Sequence, residues 1–193
     1  AYMGKRVHET LEWLYLEPEL KNQYVVFDRI IKKYDELWKS EWHDKVFIAR
    51  CKFDRNSYNR KTLYRIGIEC LNNYYNRFNV NGYFKENVIG IEHAFKVKVG
   101  NYTFRGIIDR IDENKEDKYI EIIDYKTGKR DKTHFQARND LQLAIYYFAI
   151  QELYKNKKLN CKNIRLSFYN LRSNKIVQVT YDEKKVKKHK TTI

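Results

Sequence analysis

Hydrophobic residues in the first half of the chain recur at helical spacing. They predict one helix that Pro18 ends, a second from Leu20 to about Lys45, and a third that Ser57 caps at its N-terminus. The apolar positions of these helices are Val7, Leu11, Leu14, Val26, Ile30, Leu37, Leu63, Ile66, Cys70 and Tyr74. The pattern therefore predicts a helical part over residues 1–80.

From about Asn87 the hydrophobic pattern changes to the alternation of strands. A first strand is expected to reach the Gly100-Asn101 hairpin turn. The further elements are strands over 102–112 and 118–126, a helix over 136–155 with Leu141, Ile145, Phe148 and Leu153 available for burial, and strands over 163–171 and 175–181. The order predicts an α+β or a mixed α/β fold, with a central sheet flanked by helices. One domain is expected, with a sheet-and-helix core over 87–181 and a basic tail over 182–193.

Composition narrows the class of protein. The 193 residues are 42% hydrophobic, enough for one sizeable core, and 39 Lys and Arg against 25 Asp and Glu leave a net charge of +14. That charge predicts attraction to a polyanion, most simply nucleic acid. The sequence lacks a run long enough to span a membrane and a secretory signal. Its three scattered cysteines predict a reducing cytoplasm, and a start at Ala1 suggests a piece of a longer protein.

Candidate chemistry lies on two of the predicted strands. Asp124 and Lys126 fall on the same face of their strand, in phase with Ile120 and Ile122, and Asp109 follows the preceding apolar run, in phase with Ile107 and Ile111. If these strands pair, two carboxylates and an ammonium converge, a set suited to Mg²⁺ and a phosphate substrate. A single Asp at such a place is more often a turn former or ion-pair partner, and Asp112 is interpreted in that way.

Three motifs stand in order along the chain. They are GIIDRID over residues 106–112, DYKTG over 124–128 and DLQLAIY over 140–146, which contains Gln142 and Tyr146 on the next helix. An upstream segment, GKRVH, ends at His8. Together they resemble the RecB/AddB-type nuclease domain of the PD-(D/E)XK nuclease superfamily, over nearly the whole chain. The resemblance implies a restriction-endonuclease-like fold with an αβββαβ core.

The resemblance also implies a role for each matching residue. Asp109 and Asp124 would bind Mg²⁺ or Mn²⁺, and Lys126 would act on the attacking water. The remaining implied residues are His8 and the backbone carbonyl of Tyr125 as further metal ligands, Glu92 on the first core strand as a possible ligand, and Gln142 and Tyr146 lining the cleft.

Each of the weaker assignments has a plainer alternative. Glu92 could be a solvated strand glutamate paired with a lysine, and His8 could be a surface residue of a basic helix. The tail KKVKKHK over 184–190 is most simply a solvated helix end, with phosphate contact as the alternative, and the other four histidines are interpreted as structural. Many relatives hold a [4Fe–4S] cluster, but no C-x₂-C-x₅-C follows Cys161, so none is expected from this chain.

The function implied is hydrolysis of DNA phosphodiesters, with exonuclease action favoured, in repair or recombination. DNA is the expected partner, together with a helicase subunit or fused helicase domain, and no membrane partner is expected. The alternative is an inactive nuclease fold that binds DNA as the scaffolding subunit of a helicase–nuclease complex.

Overall fold

A computed structural model describes residues 2–20, 23–43, 59–155 and 163–193. The chain divides into two compact units. Unit 1 comprises Ala1–Lys85, Lys126–Lys129 and Leu171–Asn174, and unit 2 comprises Glu86–Tyr125, Arg130–Asn170 and Lys175–Ile193. The predicted Ser57 cap, Lys45, Cys51 and Cys161 lie outside the described residues. The assignment of the chain to one domain stays a prediction.

Unit 1 is built from helices and one short hairpin. Its elements are α1 (Tyr2–Leu16), a 3₁₀ turn (Pro18–Leu20), α2 (Phe27–Glu41), α3 (Arg60–Phe78), β1 (Asn79–Val80) and β2 (Tyr83–Phe84). Val7, Leu11 and Leu14 are buried along α1, as their spacing predicts. The described N-cap of α3 is Asn59, whose side chain accepts a hydrogen bond from the Thr62 amide.

The second helix starts later than its apolar pattern predicts. Leu20 lies in the 3₁₀ turn, and α2 begins only at Phe27. The residues just before α2 are extended because the Val25 amide donates a hydrogen bond of 2.8 Å to the carbonyl of Gly82 in the hairpin. As a result Val26 is exposed rather than buried. The buried positions of this helix are Ile30, Tyr34 and Trp38.

Unit 2 is a mixed α/β structure, as predicted, consistent with the restriction-endonuclease-like fold. Its strands are β3 (Val88–Val99), β4 (Tyr102–Asn114), β5 (Tyr119–Lys126, the last residue belonging to unit 1), β6 (Ile164–Asn170) and β7 (Lys175–Val179). They form one five-stranded sheet in that order. The pairs β3–β4, β4–β5 and β6–β7 are antiparallel. The helices are α4 (His134–Arg138), α5 (Leu141–Leu153) and α6 (Glu183–Thr192).

The helix predicted over 136–155 is two helices. Asp140 separates them, since its side chain accepts hydrogen bonds from the Gln142 and Leu143 amides and so caps α5. Leu141 and Leu153 are exposed, contrary to the prediction, and Ile145 and Phe148 are partly buried against the core. The segment LQLAIYYFAI is apolar on almost every side, so its sequence gives no period that selects the buried face.

Strand β4 also differs from its prediction in detail. Ile107 is 51% exposed, and its neighbour Ile108 is fully buried in the core. Ile107, Asp109 and Ile111 share one face of β4, as their phase predicts, but this face is exposed at Ile107 and buried at Ile111. Asp112 lies within the strand rather than in a turn, since β4 continues to Asn114.

The basic tail is not merely a solvated helix end. It forms α6, in which Lys185 and His189 are buried and Val186 packs against the core of unit 2. In the described part of the chain, none of the helices has the length and apolar character needed to cross a bilayer.

Candidate metal centre

Asp109 lies on β4, between the strands that carry Glu92 and Asp124. The last register pair of β4 with β5 is Arg110 with Ile123, so the next position sets Asp109 opposite Asp124. Residues opposite each other on antiparallel strands project to the same face of a sheet. The condition on which the sequence argument depended, that these two strands pair, is therefore met.

A short hydrogen bond holds the Asp109 carboxylate at this place. The Tyr125 amide donates to Asp109 Oδ2 over 2.6 Å, which links the side chain to the backbone just after Asp124. Asp124 itself is only 2% exposed and lies in a stretch of β5 that is buried from Ile122 to Tyr125. A carboxylate loses much of its hydration at such a site, so an ion or a hydrogen-bond donor must compensate its charge.

Glu92 approaches Asp109 from the other neighbouring strand. The pairs Ile91 with Arg110 and His93 with Ile108 set Glu92 opposite Asp109, and a carboxylate oxygen of each lies within 4.8 Å of the other. The backbone of Glu92 has a φ of 42°, in the left-handed region that side chains with a Cβ rarely adopt. Strain of this kind persists where the surrounding structure imposes it, and it is concentrated at functional sites.

These carboxylates have the chemistry of a hard-cation site. Two oxygens on one Mg²⁺ with ligand bonds of about 2.1 Å lie roughly 3–4.2 Å apart, and Mg²⁺ prefers oxygen ligands. The observed limit of 4.8 Å between the oxygens of Glu92 and Asp109 is compatible with a shared ion after a small side-chain movement. The residues present in unit 2 therefore fit a divalent metal.

Arg110 and Asp112 have a structural role within the same motif. The fully buried Arg110 guanidinium makes two hydrogen bonds to Asp112, Nε to Oδ1 at 2.6 Å and Nη2 to Oδ2 at 2.5 Å. The interpretation of Asp112 as an ion-pair partner is thus confirmed. Nearby, burial raises the pKa of the Glu86 carboxyl, while Arg110 acts in the opposite direction.

Gln142 and Tyr146 connect α5 to the strand of Asp109. The Gln142 amide donates to the Tyr146 hydroxyl over 2.8 Å, and that hydroxyl donates to the backbone carbonyl of Ile107 over 2.8 Å. Burial, and next the Asp124 carboxylate, raises the pKa of Tyr146, so the phenol remains a hydrogen-bond donor. Their helical spacing predicted one shared face; the structure adds a direct link to β4, two residues before Asp109.

The glycine that opens the GIIDRID motif makes room for an aromatic contact. A Cβ on Gly106 would lie 2.9 Å from the ring of Phe95, its register partner on β3. The Phe95 ring in turn meets the Tyr146 ring edge-on, with centroids 5.7 Å apart. Gly106 thereby allows α5, β3 and β4 to pack closely beside the carboxylates.

Lys126 ends β5 and is held within unit 1. Its carbonyl accepts a hydrogen bond of 2.8 Å from the Leu171 amide, and the Leu171 carbonyl accepts one of 2.9 Å from the Asn73 side chain on α3. Sequence reasoning missed Asn73 and Leu171 as residues that position this segment. A polar residue in a helix and an apolar one in a turn carry no signal for such a role.

His8 also belongs to unit 1, where it is half-buried on α1. One turn earlier, a Cβ on Gly4 would lie 2.8 Å from Thr127 Oγ1, in the residue after Lys126. The glycine of the upstream motif thus allows α1 to approach the segment Lys126–Lys129. The four-residue spacing puts His8 and Gly4 on the same side of the helix.

The described structure sets Glu92 and Asp124 opposite Asp109 on the two neighbouring strands. Hydrogen bonds join Tyr125 to Asp109, and they join Gln142 through Tyr146 to the strand of Asp109. The metal-binding role of the Tyr125 carbonyl and the roles of His8 and Lys126 stay predictions. His189 is buried and His134 is exposed, and no chemistry is assigned to either.

Comparison with known proteins adds the family. No curated protein matches the chain. A profile of the PD-(D/E)XK nuclease superfamily matches residues 1–192, almost the entire sequence. On that match, and in agreement with the sheet and its carboxylates, the chain belongs to the PD-(D/E)XK nuclease superfamily.

Proposed function

We propose that this protein is a metal-dependent nuclease that hydrolyses DNA phosphodiester bonds. The observation that carries the proposal is the set of carboxylates across three adjacent strands, with Glu92 and Asp109 close enough to share an ion. Membership of a nuclease superfamily supports the same reaction.

The proposed metal ligands extend beyond this pair. Asp124 is proposed as a ligand because its register position is opposite Asp109. His8 and the Tyr125 carbonyl are proposed because of the motifs in which they lie. An imidazole and carboxylates together suit Mn²⁺, and carboxylates with a carbonyl suit Mg²⁺. When bound, a divalent cation polarises the scissile phosphate and lowers the pKa of the attacking water.

The other proposed site residues act on the substrate or position the ligands. Lys126 orients the attacking water and offsets the negative charge that grows on the phosphate during attack. Tyr146 and Gln142 fix the backbone of β4 at Ile107 and so hold Asp109 in place. They also line the cleft on the side of α5.

The choice of DNA follows from charge and resemblance. A net charge of +14 favours phosphate backbones without sequence preference. The RecB/AddB-like motifs support exonuclease action in DNA repair or recombination in the cytoplasm, beside a helicase subunit or a fused helicase domain.

A cleavage assay tests the reaction. Linear duplex, single-stranded and covalently closed circular DNA are incubated with Mg²⁺, Mn²⁺ or EDTA. We expect the linear substrates to be degraded with either metal and to remain intact in EDTA, and we expect the circle to survive if the enzyme is an exonuclease. Asp124→Asn and Lys126→Gln should each lower the rate by about 10³-fold, equivalent to ~4 kcal/mol of transition-state stabilisation.

The control is Asp117→Asn, which removes an exposed carboxylate from the turn between β4 and β5. It should cleave at the wild-type rate. If the wild type binds DNA but leaves it as intact as Asp124→Asn does, the nuclease proposal fails and the scaffold alternative is supported.

Metal binding is measured separately, by calorimetric titration with Mn²⁺. Glu92→Gln and His8→Gln should each weaken the affinity by roughly 10–100-fold, as is usual when a metal site loses a supporting group. An unchanged affinity would remove that residue from the proposed ligand set without affecting the others.

A further inference from the structure

Three of the four exposed lysines of α6 lie on a single face of the helix. Lys184, Lys187 and Lys188 follow the i, i+3, i+4 spacing of neighbours on a helix surface, and all three are exposed. The buried residues Lys185 and His189 lie on a different face of α6. We call Lys184, Lys187 and Lys188 the α6 lysine stripe.

Specific contacts fix the direction in which the α6 lysine stripe points. The Lys185 ammonium donates to Asn139 Oδ1 over 2.7 Å, and His189 Nε2 lies 3.2 Å from the Arg138 carbonyl. The Arg138 guanidinium donates to Asp182 Oδ2 over 2.7 Å, at the N-cap of α6. A lysine and a histidine thus serve as the buried anchors of a basic helix, and its other lysines are held outward.

Positive charge is concentrated around this helix rather than neutralised. Within the described ranges, no carboxylate lies within ion-pair distance of a stripe lysine, although Asp182 and Glu183 precede the stripe. Burial, followed by the neighbouring cations Lys188 and Arg138, lowers the pKa of Lys185. The cations here repel one another, and a bound polyanion would relieve that repulsion.

The anchor of α6 is continuous with the metal centre of unit 2. Arg138 and Asn139 lie at the junction of α4 and α5, and α5 reaches the backbone of β4 through Tyr146. From Asn139 to Tyr146 is about 10 Å along the helix at 1.5 Å per residue. A DNA strand is long enough to occupy both places at once.

We propose that the α6 lysine stripe binds the phosphate backbone of the DNA substrate at a point away from the bond that is cut. Neighbouring side chains on a helix surface lie about 5–6 Å apart, a spacing that suits successive phosphates of one strand. Point charges on flexible stems bind phosphates without reading bases. The inference rests on the proposed DNA substrate but not on the cleavage chemistry.

The test compares two triple variants with the same change of charge. The first replaces the stripe (K184Q, K187Q, K188Q), and the second replaces three exposed lysines of β3 and the β4–β5 turn (K96Q, K98Q, K115Q). Binding of a fluorescently labelled oligonucleotide, single-stranded or duplex, is measured in EDTA over about 50–200 mM NaCl. Thermal unfolding verifies that both variants are folded.

We expect the stripe variant to bind about tenfold or more weakly at low salt. Its slope of log K against log salt should be less steep by roughly 2–3, since each lost phosphate contact removes about 0.7–0.9. The β3 and turn variant should change that slope by less than about one. Equal losses in the two variants, or no loss in the stripe variant, would overturn the proposal.

Two further readouts separate this inference from related ones. If the stripe variant loses affinity for RNA of the same sequence but keeps its affinity for DNA, the stripe serves another partner and the proposal is overturned. The binding slopes are measured without metal, so failure of cleavage would count against the nuclease function alone. Conversely, if the wild type cleaves DNA but the two triple variants have equal slopes of log K against log salt, only the role of α6 is overturned.

Discussion

Unit 1 and unit 2 bury polar groups in different ways. Unit 1 buries the charged Arg6, which donates to Glu9 on the same helix, and it also sets several phenol hydroxyls among aromatic rings. The hydroxyls of Tyr15 and Tyr74 lie 2.6 Å apart, and the Tyr2 hydroxyl donates to the carbonyl of Trp38 over 2.8 Å. These two hydroxyl contacts are satisfied by another hydroxyl and by the backbone, so they need no ion.

In unit 2 two buried charged groups stand on neighbouring strands of the sheet. Arg110 and Asp124 lie among isoleucines of the sheet, where charge is costly unless it is paired or bound to a metal. One of the two is paired within its own strand, to Asp112. Asp124 instead stands at the position next to Asp109. The comparison teaches that buried hydroxyls in unit 1 contribute to packing, whereas buried charges on the strands of unit 2 form an ion pair and the candidate metal centre.

The largest expected effect separates two aspartates of the same strand. Asp112→Ala would remove the carboxylate that accepts two hydrogen bonds from the fully buried Arg110 guanidinium, and should lower the free energy of unfolding by about 3 kcal/mol. Asp109→Asn should change it by less than about 1 kcal/mol, yet abolish cleavage. Urea unfolding and the cleavage assay distinguish the two, and a stable Asp112→Ala protein would contradict the structural role of the pair.

A substitution in unit 1 tests its aromatic packing. A Cβ on Gly67 of α3 would lie 1.9 Å from the Tyr34 hydroxyl of α2, so Gly67→Ala should destabilise the protein by roughly 2 kcal/mol through overpacking. Tyr34→Phe removes the nearest colliding atom but leaves the ring Cζ 2.5 Å from the added Cβ. The double variant should therefore recover only part of the loss in a thermal-unfolding experiment. Equal losses in the single and double variants would place the strain elsewhere.

Two neighbouring tyrosines of α5 form a matched pair within unit 2. Each accepts a hydrogen bond from a glutamine four residues away, Tyr146 from Gln142 and Tyr147 from Gln151, and the Tyr146 hydroxyl donates to the backbone of β4. Both Tyr→Phe variants should lose about 1 kcal/mol of stability. Tyr146→Phe should also slow cleavage and weaken Mn²⁺ binding several-fold. If Tyr146→Phe and Tyr147→Phe have the same cleavage rate and the same Mn²⁺ affinity, Tyr146 contributes only to packing and the prediction is wrong.

The smallest expected effect concerns the histidine that anchors α6. Burial, with Lys185, Lys188 and Arg138 nearby and the Tyr181 ring against it, lowers the pKa of His189. Below the ordinary value of about 6.5 the unfolded chain binds a proton that the folded protein resists, so stability falls as the pH drops through that value. Compared with His189→Gln, the wild type should lose up to about 1 kcal/mol more between roughly pH 7.5 and pH 5.5. The prediction would be contradicted if the free energies of unfolding of the two proteins, measured in urea, changed equally with pH across this range.

Several features of the fold could be predicted because they depend on local pattern. The alternation of Phe95, Val97 and Val99 and the turn at Gly100 give the β3–β4 hairpin directly. The splitting of the helix at Asp140 could not be predicted with the same ease. Asp140 is both part of a motif and a helix cap, and only the described hydrogen bonds distinguish the two roles.

The candidate site shows the same division. Asp109, Asp124 and Lys126 could be identified from their motifs, and Asp109 and Asp124 from strand phase as well. The left-handed backbone of Glu92 could not, since nothing in its neighbours requires it. Nor could the anchoring of Lys126 through Leu171 and Asn73, which are distant in the chain from it and from each other.

By itself, the sequence determined the class of fold, the order of its strands along the chain and the acidic and basic residues that are candidates for the chemistry. Those properties reside in hydrophobic period, turn residues and short motifs, which are local. The tertiary structure alone decided which face of α5 is buried, that Arg110 is held by Asp112, and that Glu92 lies opposite Asp109. It also turned a run of lysines into a fixed stripe by burying Lys185 and His189. Each of these features depends on strand register or on a contact between distant residues, and a single segment of sequence encodes neither register nor such contacts.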